Sequence, residues 1–365
     1  MAVYKLFPLK DASMYAFYPF MNTGIDPIIE IGNLNVNINP VPQVFRFVIK
    51  FDQTEIEDII DNKVGVGKPF ASNLKAYIAS AQGIIFDTNL EVYPISGSWN
   101  NGNGTYLDSP FTTNGVSWKA RNFSGSAASG AEYWNTNVAS YGTYVTSSFS
   151  SSMEGGGTWY TGSNDPNNVN VTSSVEYKLR SSKDLNADVS DIVNIWYSSS
   201  KSIGGYTNIV NDGFIVKWED SIEFNTADAI QPIMQFYSVD TNTIYPPQLE
   251  FKWRDYSSVL TGSASASIVT TTNLATSLAE NPGEFFPSSV NRFRFNLAPK
   301  YPTPVWTTSS LFTGVNYLPT ASYYAVKDLD TNEFVITFDT QYTQLSSDSE
   351  GNYFDIYMNG LEPER

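Results

Sequence analysis

The strongest constraint on what this chain can fold into is a two-residue period. In Val44-Phe45-Arg46-Phe47-Val48-Ile49-Lys50-Phe51, one face reads Phe45, Phe47, Ile49 and Phe51, the pattern of a half-buried strand. Strand-like runs recur at 27–31, 74–80, 90–95, 214–218, 234–237, 248–253, 290–296, 334–340 and 353–357. Ser, Thr, Asn and Gly separate them, and helical periodicity is nearly absent. Only two short helices are predicted. Residues 54–60 open with Thr54 as cap and acids in the first turn. Residues 188–196 open with Asp188 as cap and place Val189, Ile192, Val193 and Trp196 on one stripe.

Two composition shifts organise the rest. Residues 97–170 are rich in Gly, Ser, Asn and Thr, with Trp99, Trp118, Trp134 and Trp159 interleaved. A connection that long in a compact domain ordinarily covers or binds something. The second shift, at 256–289, predicts a domain boundary. Strand signals then resume, with Pro299, Pro302, Pro304 and Pro319 marking loops or edges. A hairpin is legible where 323–326 and 334–338 flank Lys-Asp-Leu-Asp-Thr-Asn-Glu. The run 354–358 is followed by only seven residues, whereas a sandwich would pair it with a further strand. The expected architecture is all-β: a jelly-roll-like β-sandwich over 1–256 with long loops at 97–170, a linker over 257–289, and a smaller Ig-like β-sandwich module over 290–365, open to truncation at its end.

Composition narrows the chemistry. At 365 residues, 41 % hydrophobic and 15 % aromatic, the chain can bury a sizeable core. It contains no histidine and no cysteine. Histidine triads, thiol nucleophiles, zinc sites built on either residue, CxxC redox pairs and disulfides are therefore excluded. A formal charge of -16 repels phosphate and anionic lipid, so neither nucleic acid nor a membrane is an expected partner. No basic segment leads into an apolar stretch of signal-peptide length, and no run approaches a membrane span.

The order of segments over 1 to about 256 resembles the DNRLRE-type β-sandwich family. The opening Leu9-Lys10-Asp11-Ala12, then Met21-Asn22-Thr23-Gly24 and Ile28-Ile29-Glu30-Ile31-Gly32, is similar to that family's start. Arg46-Phe47-Val48-Ile49-Lys50-Phe51-Asp52 and Leu74-Lys75-Ala76-Tyr77-Ile78 resemble its next strands. The most specific part is Trp99, then Gly104-Thr105, then Gly115-Val116-Ser117-Trp118. Asp188-Val189-Ser190 through Trp196, Asn211-Asp212-Gly213-Phe214, Phe236-Tyr237-Ser238 and Pro247-Gln248-Leu249-Glu250 follow in the family's order. The opening lacks the family's basic Arg-Leu-Arg-Glu character, and nothing matches between Lys119 and Leu185. Residues 290–365 resemble β modules appended to structural proteins of T4-like marine phages, in 338–340, 352–355 and 358–361. The resemblance implies a phage virion structural protein of the tail, baseplate, fibre or neck. Its expected partners are other virion proteins, with homo-oligomers and a host glycan as further candidates. No enzyme activity and no cofactor or metal is expected.

Four residues are the candidate contacts for a glycan or a partner: Trp134, Trp159, Trp99 and Trp118. Indoles stack on sugar rings and anchor interfaces. The alternative function is accordingly a carbohydrate-binding module. Trp99 and Trp118 are expected to pin loops onto the sandwich, while Trp134 and Trp159 stand equally for exposure and for burial. Burial of all four would remove the glycan reading's support. Other motifs read as structural. Gly65-Val66-Gly67-Lys68-Pro69 lacks the first glycine and the hydroxyl of a phosphate loop. Ser198 and Lys201 match a serine–lysine spacing in a serine-rich chain. Asp328, Asp330 and Asn332 are spaced like a calcium loop, but Glu333 stands where glycine is needed.

Overall fold

The computed structural model describes residues 2–34, 43–85, 87–124, 131–134, 143–144, 155–160, 171–178, 180, 182, 184–204, 209–223, 225, 231–259, 267–268, 273–301, 315–359 and 361. The protein is an all-β fold, 40 % strand and 11 % helix, built around a curled half-barrel sheet. The chain runs β1 (Ala2–Leu6), β2 (Lys10–Tyr15), β3 (Ile28–Asn33), β4 (Val44–Lys50), α1 (Gln53–Asp58), a π-helical segment Ile59–Gly65, β5 (Phe70–Ala76), β6 (Ile78–Gln82) and β7 (Thr88–Pro94). Short strands follow: β8 (Ala120–Asn122), β9 (Glu132–Tyr133), β10 (Thr143–Tyr144) and β11 (Trp159–Tyr160). Then come β12 (Ser173–Tyr177), β13 (Leu185–Asp188), α2 (Ser190–Ser200), β14 (Phe214–Trp218), α3 (Asp220–Glu223), β15 (Ile233–Tyr237) and β16 (Gln248–Trp253). The last group is β17 (Ser267–Ile268), β18 (Leu274–Leu278), β19 (Val290–Pro299), β20 (Asn316–Tyr317), β21 (Val326–Lys327), β22 (Phe334–Ile336), β23 (Ser346–Asp348) and β24 (Gly351–Tyr357).

Two compact units form. The larger comprises Leu6–Asp58 and Ser72–Glu250, the smaller Met1–Lys5, Ile59–Ala71 and Phe251–Arg365. In the larger unit an eight-stranded sheet runs β12-β7-β14-β4-β3-β15-β6, with β2 also paired to β4. Its pairings are antiparallel; Phe214 opposes both Ile49 and Pro94, and Lys10 through Tyr15 oppose Lys50 through Phe45. One face carries the aromatic core. Phe47 packs on Phe236 at 5.9 Å, Phe51 on Phe214 at 6.3 Å, and Trp196 of α2 on Phe214 at 4.6 Å. The stripe expected of this helix is observed: Val189, Ile192, Val193 and Trp196 are all buried. Each large side chain so buried contributes about 1.5–3 kcal/mol.

The half-buried reading of β4 needs correction, because all but Lys50 of its residues are buried. The opposite face is covered as well, by the long loops, so Val44 and Val48 lie under the tryptophans. Both helix caps also sit elsewhere than expected. Thr54 donates its N–H to Asp52 at 2.8 Å, so Asp52 rather than Thr54 caps the start of α1. Val189 is the cap residue of α2, and Asp188 accepts the N–H of Ser190 from one position upstream.

In the smaller unit, β18, β19, β24 and β23 form an antiparallel sheet. Part of the stretch read as a linker is thus the strand β18. Phe354, Ile356 and Met358 alternate inward and join Val3, Tyr324, Ile336 and Leu345 in one cluster. Phe354 stacks on Tyr324 at 4.1 Å and on Phe293 at 5.3 Å. On the other face Tyr353 lies beneath Arg292, which pairs with Asp355 at 2.8 Å. The predicted hairpin forms with shorter arms, β21 against β22.

Candidate functional site

The loop-covered face of the half-barrel holds the four tryptophans in one cluster with Ala12, Met14, Val44, Val48, Ile95, Val116 and Ile215. Their exposures are 3 % for Trp99, 0 % for Trp118, 4 % for Trp134 and 1 % for Trp159. Two of the indoles are also tied by hydrogen bonds. Trp99 donates its Nε1–H to the Asp212 carbonyl at 2.8 Å, and Trp134 donates to the Ser117 carbonyl at 3.0 Å. Lys10 lies over the Trp99 ring at 4.2 Å. Trp159 pairs with Tyr144 in β10–β11 and bridges to Ile95. The structure therefore seats Trp134 and Trp159, together with Trp99 and Trp118, inside the fold. No stacking platform for a sugar is built from these rings.

Beneath them lies a charge cluster that the sequence pattern does not announce. Arg46 of β4 and Glu223 of α3 are 0 % and 1 % exposed and bond in a fork, Nε to Oε1 at 2.6 Å and Nη2 to Oε2 at 2.8 Å. Lys217 of β14, also 1 % exposed, reaches Glu223 at 3.4 Å, Glu91 at 3.3 Å and Asp220 at 2.8 Å. Burial by itself lowers the Lys217 ammonium, but Glu223, Glu91 and the bond to Asp220 outweigh it and the net shift is upward. The guanidinium of Arg46 lies over the Trp118 ring at 5.0 Å and over the Trp159 ring at 5.2 Å. Its remaining nitrogen, Nη1, donates to the Gly156 carbonyl at 2.7 Å. A buried cation is thus spent on holding a loop. Gly156 has φ +76, and a Cβ there would stand 2.7 Å from the Trp118 ring and 2.8 Å from Arg46, so only glycine lets the backbone come this close.

A second clamp joins the stretches that carry the family resemblance. Asn22 is fully buried. Its Nδ2 donates to the carbonyls of Asn101 at 2.6 Å and Val116 at 2.8 Å, while its Oδ1 accepts the N–H groups of Gly104 at 2.8 Å and Gly24 at 3.2 Å. One side chain therefore fastens three loop segments with all its hydrogen-bonding capacity. Nearby, Thr23 and Ser13 exchange hydrogen bonds between β2 and the loop that follows it.

Two groups are strongly perturbed. Burial pushes the Asp11 carboxyl up to about 8; the Val239 N–H, donating at 2.8 Å, offsets this in part, and Asp240 and Asp26 add to it. Burial, then the repulsion of Lys50, lowers Lys10 to about 8. Both sit in the Lys-Asp-Ala stretch. Among the described residues no group of three or more acidic side chains is arranged to hold a metal ion. An open polar groove of about 270 Å³ runs along Ser173, Ser174, Asp188 and Ser190 at the start of α2.

The remaining motifs are structural turns and pairs. Gly65 has φ +93 and accepts the Lys68 N–H at 3.1 Å in a turn. Lys201 pairs with Glu57 at 2.9 Å. Asp328 accepts the N–H groups of Asp330 and Thr331 and the Thr331 hydroxyl, and its own N–H donates to Glu333, which closes the hairpin turn between β21 and β22. Comparison with family models, with curated proteins and with solved structures returns no match. Fold and site together define an all-β scaffold whose long loops are clamped onto one face of a sheet.

Proposed function

We propose that this chain is a structural component of a tailed-phage virion, in the tail, baseplate, fibre or neck, and that it acts through contact with other virion proteins. The observation that carries the reading is the use to which buried polar groups are put. Arg46, Glu223 and Asn22 fix loops rather than line a cleft, so the outer surface is held rigidly. In the larger unit that surface carries Leu107 at 88 % exposed, and in the smaller unit Phe286 and Leu329 stand 83 % and 90 % exposed. Rigid apolar projections are suited to docking against other proteins. The phage setting rests on the resemblance of the sequence alone. Mass spectrometry of purified particles, followed by imaging of antibody-labelled particles, tests it; a chain missing from the particles overturns it.

Carbohydrate binding is the second reading, and it now rests on different residues. Tyr18 and Phe111, 37 % and 42 % exposed, meet at 4.6 Å, and Tyr106, 39 % exposed, packs on Tyr15 alongside. Asp108 holds this loop by accepting from Thr105 and Thr112. A glycan array probed with the intact chain and with Tyr18→Ala and Phe111→Ala tests this reading. Binding that both variants retain, or no binding, removes it.

A further inference from the structure

The eight-stranded sheet runs from β12 to β6, with β2 off that path, and the sheet of the smaller unit runs from β18 to β23; of these four end strands, three are blunted. On β12, Glu176 is charged and pairs with Lys178 just beyond the strand at 2.9 Å. On β6 the register shifts at Gln235/Phe236, and Asp184 caps the Ile78 N–H at 2.9 Å. Along β23, Ser347 donates its N–H to the Ser257 carbonyl, and Ser257 donates its own to the Ser346 hydroxyl. These are the usual devices against unwanted strand pairing.

Among the described residues, the fourth end strand, β18, has none of them. Its register with β19 is regular from Leu274↔Pro299 to Leu278↔Phe295. Residues 273–279 contain no charge and no proline. The flanking bonds, Lys300 N–H to the Asn273 carbonyl and Ala279 N–H to the Arg294 carbonyl, fix which residues face inward. Residues 273, 275, 277 and 279 bond to β19, so Leu274, Thr276 and Leu278 turn their N–H and C=O groups to the side away from β19, where no described residue pairs with them. Ala275 through Leu278 are exposed, Leu278 at 42 %.

The order of side chains names the occupant. Leu274-Ala275-Thr276-Ser277-Leu278 reads nearly the same in both directions about Thr276. We propose that β18 pairs antiparallel with β18 of a second copy, about a two-fold axis at Thr276. Leucine then meets leucine, alanine meets serine and threonine meets threonine across the seam, each a compatible cross-strand pair. The three outward residues of each copy make about six ladder hydrogen bonds. The result is one continuous sheet, four strands from each copy, of the self-complementary kind a two-fold axis requires. The inference rests on the assembly reading above and names one partner within it. Each copy carries a charge of -16, so salt should screen the approach and tighten the pair.

Sedimentation velocity of the full chain, over a concentration series at low and high salt, reads the mass directly. The expected result is a dimer that strengthens with salt. Thr276→Lys sets like charges face to face, and Thr276→Pro deletes a donor that β19 does not use. Each should raise the dimer dissociation constant about tenfold or more while far-UV dichroism stays unchanged. Because the protein has no thiol, Thr276→Cys should cross-link to its twin with a short bis-maleimide, and Leu329→Cys should not. A monomer at every concentration and salt, or a dimer indifferent to both substitutions, overturns the proposal. A monomer that is nonetheless found in particles sinks this inference and leaves the virion reading standing; a β18 dimer absent from particles does the reverse.

Discussion

Replacing Glu223 by Gln removes the one anion that Arg46 and Lys217 share inside the larger unit. Arg46 would keep a hydrogen bond but lose its charge partner at 2.6–2.8 Å, and Lys217 would lose one of three carboxylates. Coulomb's law at an effective dielectric of about 20 and a separation of charge centres of about 4 Å gives ~4 kcal/mol for one contact of this kind before desolvation. Removing one member of a buried pair costs about 3–5 kcal/mol, because the other charge stays behind. Glu223→Gln is therefore expected to destabilise by about 3 kcal/mol or more. Arg46→Met together with Glu223→Gln leaves only Lys217, which retains Glu91 and Asp220. The double variant should cost less than the sum of the singles by about 2 kcal/mol. Urea unfolding followed by tryptophan emission measures all three. A single-variant loss below about 1 kcal/mol, or strict additivity, would refute the claim that this charge cluster is a coupled unit.

Three further outcomes are expected. The folded chain holds the Asp11 proton up to about 8 while the unfolded chain releases it near 3.8, so this group makes stability fall as pH rises between those values and level off above. Asp11→Asn should abolish that slope and be the more stable protein at the alkaline end; parallel urea-midpoint profiles for the two proteins would contradict it. Gly156→Ala forces a Cβ into Trp118 at φ +76 and should cost about 2–4 kcal/mol in thermal or urea unfolding; a neutral result would contradict the close approach. Asn22→Ala strands two carbonyls and two N–H groups in three loops, with an expected cost of about 3 kcal/mol or more. Faster hydrogen exchange at Gly104 and Gly24 should accompany it, and unchanged protection there would count against the clamp.

The positions of several strands were legible in the sequence because a short apolar run is a local signal, whereas their burial on both faces was not, since it depends on distant loops and helices. The runs 214–218 and 248–253 appear at those bounds as β14 and β16. The run 74–80 divides into β5 and β6, since Asp184, far along the chain, takes the Ile78 N–H. The exposure of Trp134 and Trp159 was not legible. A loop rich in glycine reads as wet, yet glycine is also what lets a backbone lie flat against an indole, as Gly156 does on Trp118. The charge cluster was hidden for a different reason. Arg46 and Lys217 stand out as charges within apolar strands, but nothing local says that Glu223, 177 positions from Arg46, will neutralise the first and help hold the second.

Burial of the tryptophans gives the molecule an optical gauge of its own integrity. All seven indoles with described surroundings, Trp253 included, are at most 4 % exposed. The emission of these seven should therefore lie at short wavelength, and iodide, itself repelled by an anionic surface, should scarcely quench them. Trp118 and Trp159 lie against Arg46 beneath the loop that Gly156 anchors. A red shift with new quenching would signal that this loop had peeled from the sheet before the strands themselves came apart.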